Sequence, residues 1–157
     1  MKSQFILSVV LVAASMILGQ ANAGEKELKK DQVPKEVITA FEKDNPKAKG
    51  LKFEEETYEG KVAYEVEYKK KGEEYESLYG ADGVLLQKEE EIKVKSLPEP
   101  VTQAIKKAYP KAKIKEAEKL MKPDGTVTGY EVEIKADGKK IELELDVSGN
   151  ILKTEDE

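Results

Sequence analysis

Cysteine, histidine, tryptophan and arginine are all missing from this 157-residue chain. Without cysteine there are no disulfides, so the fold is held by packing alone. Thiolate catalysis and sulfur-ligated metals are excluded with it. Without histidine the chain loses the usual general base and the commonest metal ligand near neutral pH. Neither a Ser-His-Asp nor a Cys-His arrangement can be assembled from it. Beyond residue 23 serine occurs only at Ser77, Ser96 and Ser148, none in a nucleophile context. Carboxylate-only or Ser-Lys chemistry is formally open, but a non-enzyme with no cofactor and no metal centre is expected. A basic surface is missing too. The 27 cations are all lysines, set against 32 acidic residues for a net charge of −5. Nucleic acid is therefore an unsuitable partner.

Long apolar runs are also scarce. The one that stands out, Phe5 to Leu18, is 14 residues long, short of the roughly 20 that span a bilayer. Lys2 precedes it and Ala21-Asn22-Ala23 follows as a small-x-small cleavage site. Residues 1–23 therefore read as a secretory signal peptide, leaving no stable membrane span after cleavage. A periplasmic or secreted protein is expected. Residues 24–32 read as a flexible, charged lead-in.

What the chain does have is one sentence said twice. Val33-Pro34-Lys35-Glu36-Val37, Ala40-Phe41 and Asn45-Pro46-Lys47-Ala48-Lys49 return 64 residues later as Leu97-Pro98-Glu99-Pro100-Val101, Ala104-Ile105 and Tyr109-Pro110-Lys111-Ala112-Lys113. Tyr64-Glu65-Val66-Glu67-Tyr68 returns as Tyr130-Glu131-Val132-Glu133-Ile134 at an offset of 66. The second copy has thus gained two residues between Lys113 and Tyr130. Such a repeat defines the folding unit, with repeat one over 33–93 and repeat two over 97–155.

Each copy opens with a short helix. Pro34 and Pro98 suit a first helical turn. Val37, Ala40 and Phe41, like Val101, Ala104 and Ile105, form one apolar stripe. Pro46 and Pro110 end the helices, because the residue before proline is pushed out of the α region. Alternation follows: Tyr64, Val66 and Tyr68 against Glu65, Glu67 and Lys69; Tyr130, Val132 and Ile134 against Glu131, Glu133 and Lys135; Ile141, Leu143 and Leu145 against Lys140, Glu142 and Glu144. Period two means one buried face and one in water. Gly-containing turns at Glu59-Gly60, Asp82-Gly83, Asp137-Gly138 and Ser148-Gly149 make the neighbours antiparallel hairpins. Strands are expected at 50–58, 61–70, 73–80 and 84–93, then 112–121, 127–136, 139–147 and 150–154. The predicted fold is α+β: two tandem repeats, each a short N-terminal helix packed on one face of a four-stranded antiparallel meander.

These residues carry a resemblance. Apolar-Pro-x-x-Val, Ala-apolar, Pro-x-Ala, Tyr-x-Val, then an alternating apolar strand closed by Asp82-Gly83-Val84-Leu85 or Ser148-Gly149-Asn150-Ile151, resemble the PepSY-like family. More narrowly, they are similar to its tandem form, grouped with beta-lactamase-inhibitor-protein-like folds. The resemblance runs from Val33 to Lys153 and implies an exported, non-catalytic domain. In the wider family such domains act beside secreted peptidases as inhibitory or regulatory segments. The tandem form includes inhibitors that grip an enzyme with a concave sheet surface.

If the helices cover the Tyr64/Val66/Tyr68 face, the opposite face carries Glu65, Glu67, Glu74, Glu76, Glu131, Glu133, Glu142 and Glu144, interrupted by Lys69, Lys135, Lys140 and Leu78. Read functionally, this is an acidic platform for an exported protein partner, such as a hydrolase or a sensor ectodomain. The alternative role is a cell-envelope binder of divalent cations or a small ligand. Read plainly, it is the solvated side of a one-sided sheet. No Asp-x-Asp-x-Asp-Gly loop exists, and Asp146 to Asn150 reads as a hairpin turn rather than a calcium loop. Tyr75 and Tyr79 read as core residues, with a ligand groove as the alternative, and Tyr58 as exposed beside its turn. The runs Glu54-Glu55-Glu56 and Glu89-Glu90-Glu91 read as solvated strand ends.

Overall fold

Alternating side chains extend the backbone wherever the period-two pattern runs, and Gly-bearing turns fold each run back on the last. A computed structural model describes residues 26–156; the expected signal peptide at 1–23 lies outside the described residues. The elements are β1 (Lys26–Leu28), α1 (Lys35–Asp44), β2 (Lys49–Tyr58), β3 (Lys61–Lys70), β4 (Glu73–Gly80), β5 (Leu85–Glu91), α2 (Glu99–Ala108), β6 (Lys113–Met121), β7 (Val127–Ala136), β8 (Lys139–Asp146) and β9 (Ile151–Asp156). A single 3-10 turn precedes each helix, at Lys30–Gln32 and at Val94–Ser96. The β6–β7 loop has five residues where the β2–β3 turn has two, and β6 is one residue shorter than β2, so the net gain of two in the second copy falls there.

Two expectations need correction. The strands number nine rather than two sets of four, and whether the two sets join, which the sequence left open, is decided by the structure. They form one antiparallel sheet of nine in sequence order. The halves are joined where β5 pairs with β6, from Lys88 opposite Met121 to Glu91 opposite Glu118. Nor is the whole of 24–32 a flexible lead-in. Lys26–Leu28 pairs with β2, and Leu28 sits opposite Phe53 and is buried. One leucine among charged residues is enough to anchor a short edge strand once a core lies beside it, and a short edge strand limits further pairing.

Both helices lie against the same face of the sheet. Val37 and Phe41 of α1 meet Phe53, Val66, Tyr68 and Tyr79 in one cluster. Val101 and Ile105 of α2 meet Ala117, Val132, Ile134, Leu143 and Leu145 in another. Val66 and Val132 are both 0% exposed, and each such side chain contributes about 1.5–3 kcal/mol by leaving water. In the first cluster the ring of Phe41 stands edge-on to Tyr68 at 5.0 Å and to Tyr79 at 6.4 Å. Burial and the nearby Asp44 hold the Tyr79 hydroxyl up at about 12. Tyr79 is thus a core residue, as its register suggested, whereas Tyr75 is only partly buried and donates its hydroxyl to Glu73 at 2.8 Å.

The helix ends form as the prolines dictate. The carbonyls of Pro34 and Pro98 accept from the amides of Ile38 (3.2 Å) and Thr102 (3.1 Å). Asn45 and Tyr109 close the last turns onto Phe41 and Ile105, immediately before Pro46 and Pro110.

One glycine per repeat also docks the helix. Gly83, in the β4–β5 turn, has φ +78°, and Gly149, in the β8–β9 turn, has φ +86°. A Cβ on Gly83 would lie 2.6 Å from the Glu36 carbonyl oxygen; one on Gly149 would lie 2.5 Å from that of Pro100. Each turn therefore touches the first turn of its own helix, backbone against backbone. Gly83→Ala and Gly149→Ala are each expected to cost about 2–3 kcal/mol, from the left-handed backbone and the blocked contact together. Gly138→Ala, where a Cβ meets open space, is expected to cost about 1–2 kcal/mol from backbone conformation alone. Urea unfolding of the three variants measures the difference.

A candidate binding groove of opposed glutamates

Burying Val66 and Val132 commits their neighbours in sequence to the other face, because strand side chains alternate. Glu65, Glu67, Glu76, Glu131, Glu133, Glu142 and Glu144 all line one cavity of about 440 Å³ on that face. Of the predicted site residues, Glu74 alone is not part of its lining; it is ion-paired with Lys69. Glu54, Glu56, Glu89, Glu116 and Glu118 join them, and so does Lys153. In all, thirteen glutamates and one lysine line this cavity among the described residues.

The cavity exists because the sheet curls. A flat sheet would put β2 and β9 roughly 33 Å apart, at about 4.8 Å per strand. Yet Lys153 of β9 feels the charge of Glu56 on β2, and Tyr58 of β2 feels Glu144 on β8. Twist accumulates over nine strands and drives such curling. Register shifts recur at matching places in the two halves, Lys49/Lys52 with Ile114/Glu116 and Leu78/Tyr79 with Glu144/Leu145. Bulges of this kind increase local twist.

Glutamates face glutamates across the strands. One row runs Glu27, Glu54, Glu65; a second Glu67, Glu76, Glu89; a third Glu91, Glu118, Glu131, Glu144; a fourth Glu116, Glu133, Glu142, Glu155. Like charges directly opposite destabilise a sheet, by a few tenths to about 1 kcal/mol per pair. A merely solvated face would set lysine against glutamate, as Lys69 and Glu74 do at the edge. Lysines do reach some of the carboxylates from the sides: Lys52 bonds Glu67 at 2.8 Å and Lys140 bonds Glu133 at 2.9 Å. For Lys153, burial works against the charge, but Glu155, Glu142 and Glu56 outweigh it and raise its pKa.

At the seam between the repeats the groove resolves its repulsion by keeping a proton. Burial first, then the charge of Glu89 and a hydrogen bond to it, push Glu118 up to about 8. Burial, followed by Glu89, Glu142, Glu118 and Glu76, raises Glu131 well above the ordinary carboxylate range. Gln87 donates its amide to Glu89 at 3.0 Å. The hydrogen bond between Glu118 and Glu89 favours the protonated form of Glu118. Carboxylate oxygens of Glu89, Glu118 and Glu131 lie within 4.8 Å of one another, as do those of Glu65, Glu76 and Glu89.

The residues that sequence reading missed had partial signals. Glu54 and Glu56 stand opposite Glu65 and Ala63, so their alternation marked them as groove residues. Glu89, read as a solvated strand end, is only 6% exposed; it pairs with Glu76 and so belongs to the groove floor. Glu118 stands opposite Glu131 in the β6–β7 hairpin, so alternation marked its face as well, but its contact with Glu89 is made by the seam, a tertiary feature. Elsewhere the turn reading of Asp146 holds: its Oδ1 accepts from the amides of Ser148 and Asn150, both at 2.9 Å.

The family described as putative beta-lactamase-inhibitor-like, PepSY-like matches residues 20–87 and again 84–153. The chain belongs to the PepSY-like family, in tandem form. Among solved structures this PepSY-like chain is similar to a BLIP-like protein from Bacteroides fragilis, at 25% identity and TM-score 0.53, covering 79% of this chain and 86% of that one. It also shares its fold with a protein from Bacteroides eggerthii described as a putative periplasmic protein, at 14% identity and TM-score 0.59, with 79% and 88% covered. None of the curated proteins matches it. Among the described residues no helix of this PepSY-like protein is long and apolar enough to cross a membrane.

Proton retention at the seam has a measurable consequence. The folded protein holds the Glu118 proton up to about pH 8, whereas the unfolded chain releases it near 4.5. The folded state binds more protons across that window, so stability falls as pH rises through it. Glu118→Gln keeps a donor for Glu89 and removes the charge. It is expected to flatten the decline and to stabilise the protein above pH 8 by about 1–2 kcal/mol, read from melting temperatures across pH 5–9.

Proposed function

We propose that this protein is an exported, non-catalytic binding module that receives a basic surface of another exported protein in its glutamate-lined concave face. The observation that carries this reading is the set of opposed glutamate rows. Ten direct Glu–Glu cross-strand pairs weaken the sheet that holds them, and a cationic partner relieves that repulsion. Two of the predicted residues in each repeat, Glu65 and Glu67, Glu131 and Glu133, sit on this face and away from both cores. The candidate signal peptide at 1–23 supports export to the periplasm or medium. The similarity to a BLIP-like protein supports a binding or inhibitor-like role, with a hydrolase or a sensor ectodomain as the class of partner. Affinity capture from the exported fraction tests it, using the protein and its Glu65→Gln/Glu67→Gln/Glu131→Gln/Glu133→Gln variant side by side. A partner that is then purified and remeasured is expected to bind the variant at least about tenfold more weakly, a loss of ~1.4 kcal/mol, and to lose affinity with salt. Equal binding by the variant overturns the reading.

A second reading is divalent-cation binding at Glu89, favoured by its place in both carboxylate triads. Calcium takes six to eight oxygens, and these triads converge oxygen atoms without a loop. Calorimetric titration with calcium should then give heat that Glu89→Gln abolishes; a flat titration of the unaltered protein removes this reading.

A further inference from the structure

The acidic groove does not end in solvent on all sides. At one end it continues into a smaller cleft of about 250 Å³, and Tyr58, Gln87, Leu120 and Glu144 line both. The cleft has a different character. Tyr58, Leu86, Met121 and Leu152 bring apolar surface to it from β2, β5, β6 and β9. Leu152 is 62% exposed, one of the most exposed large apolar side chains described. Leu120 closes the floor at 3% exposed. The apolar patch is assembled from both repeats, and only because the sheet curls.

From this we infer that the partner segment recognised by the groove carries a large apolar side chain beside its lysines or arginines, and that the Tyr58–Leu86–Leu152 cleft seats that side chain. The inference rests on the acidic-groove reading and specifies its ligand. Charge complementarity selects a cationic occupant for the combined surface and disfavours anionic lipid or nucleic acid. At about 250 Å³ the cleft is smaller than the roughly 300–1,000 Å³ sites that enclose whole ligands. It suits one side chain of a longer molecule. An apolar residue in such a pocket, with charged neighbours around it, is the usual anatomy of a binding anchor, and tyrosine is enriched there. The groove would then supply attraction and orientation, and the cleft selectivity among basic segments.

Two labelled peptides of lysine and serine test this by fluorescence anisotropy at low salt. One carries a central phenylalanine; the other has serine in that place. The protein is expected to bind the phenylalanine peptide about tenfold tighter, equivalent to ~1.4 kcal/mol. Leu152→Ser, at an exposed position, should lower the phenylalanine peptide's affinity to that of the serine peptide; Leu86→Ser, which lines the cleft and not the groove, serves as an independent second variant, with circular dichroism confirming that each is folded. Equal binding of the two peptides overturns the cleft's role and leaves the acidic-groove reading standing. Binding of neither peptide overturns both. Self-association that Leu152→Ser abolishes, with no peptide preference, assigns the cleft to a second copy of this chain and likewise overturns the proposal.

Discussion

A sheet covered on only one side determines most of this molecule. Two ten-residue helices lie against the Val66 and Val132 face, and no helix among the described residues covers the other. Since side chains alternate strictly along a strand, every apolar residue placed under a helix sends a neighbour into the groove. Val66 at the centre of one core and Glu65 and Glu67 in the groove are consequences of the same register. A one-residue slip would exchange them and put carboxylates under the helices, which is why the register is firmly set.

Electrostatics then works against the fold that the core creates. The glutamate rows oppose one another at direct cross-strand positions, where repulsion is greatest. Two devices offset it. Lysines such as Lys52 and Lys140 bond outer carboxylates. Deeper in, where no lysine pairing is seen for Glu118 or Glu131 among the described ion pairs, both stay protonated to an unusually high pH. The first device is inexpensive in exposed surroundings and weak. The second follows from desolvation, which disfavours the charged form of a buried acid.

The repeat explains why the groove has two walls. Each copy brings its own core, its own helix and its own helix-docking glycine, and the two clusters of buried residues do not overlap. The copies meet through the β5–β6 seam, the shortest ladder between long strands in the sheet. Fusing two twisted meanders edge to edge makes one strongly curled sheet, and its carboxylate face lines the concave side. Glu89 and Glu118 lie on the two sides of that seam and are bonded across it.

Much of this was legible in the residues. The duplicated Pro-x-x-Val and Tyr-x-Val segments carried the helices, the strands and which face is buried, because those depend on local backbone preferences and on period-two alternation. The eight carboxylates singled out from alternation do lie opposite the cores, and seven of them line the groove. What local pattern could not carry was the pairing of β5 with β6, the capture of Leu28 by β2, the burial of Glu89 and the protonation of Glu118. Those depend on which strand edges meet and how far the joined sheet curls, and both are decided by contacts between residues far apart in the chain. Sequence alone determined that one face would be apolar and the other acidic; only the tertiary structure turned the acidic face inward, since curvature is a property of the whole sheet and not of any strand in it.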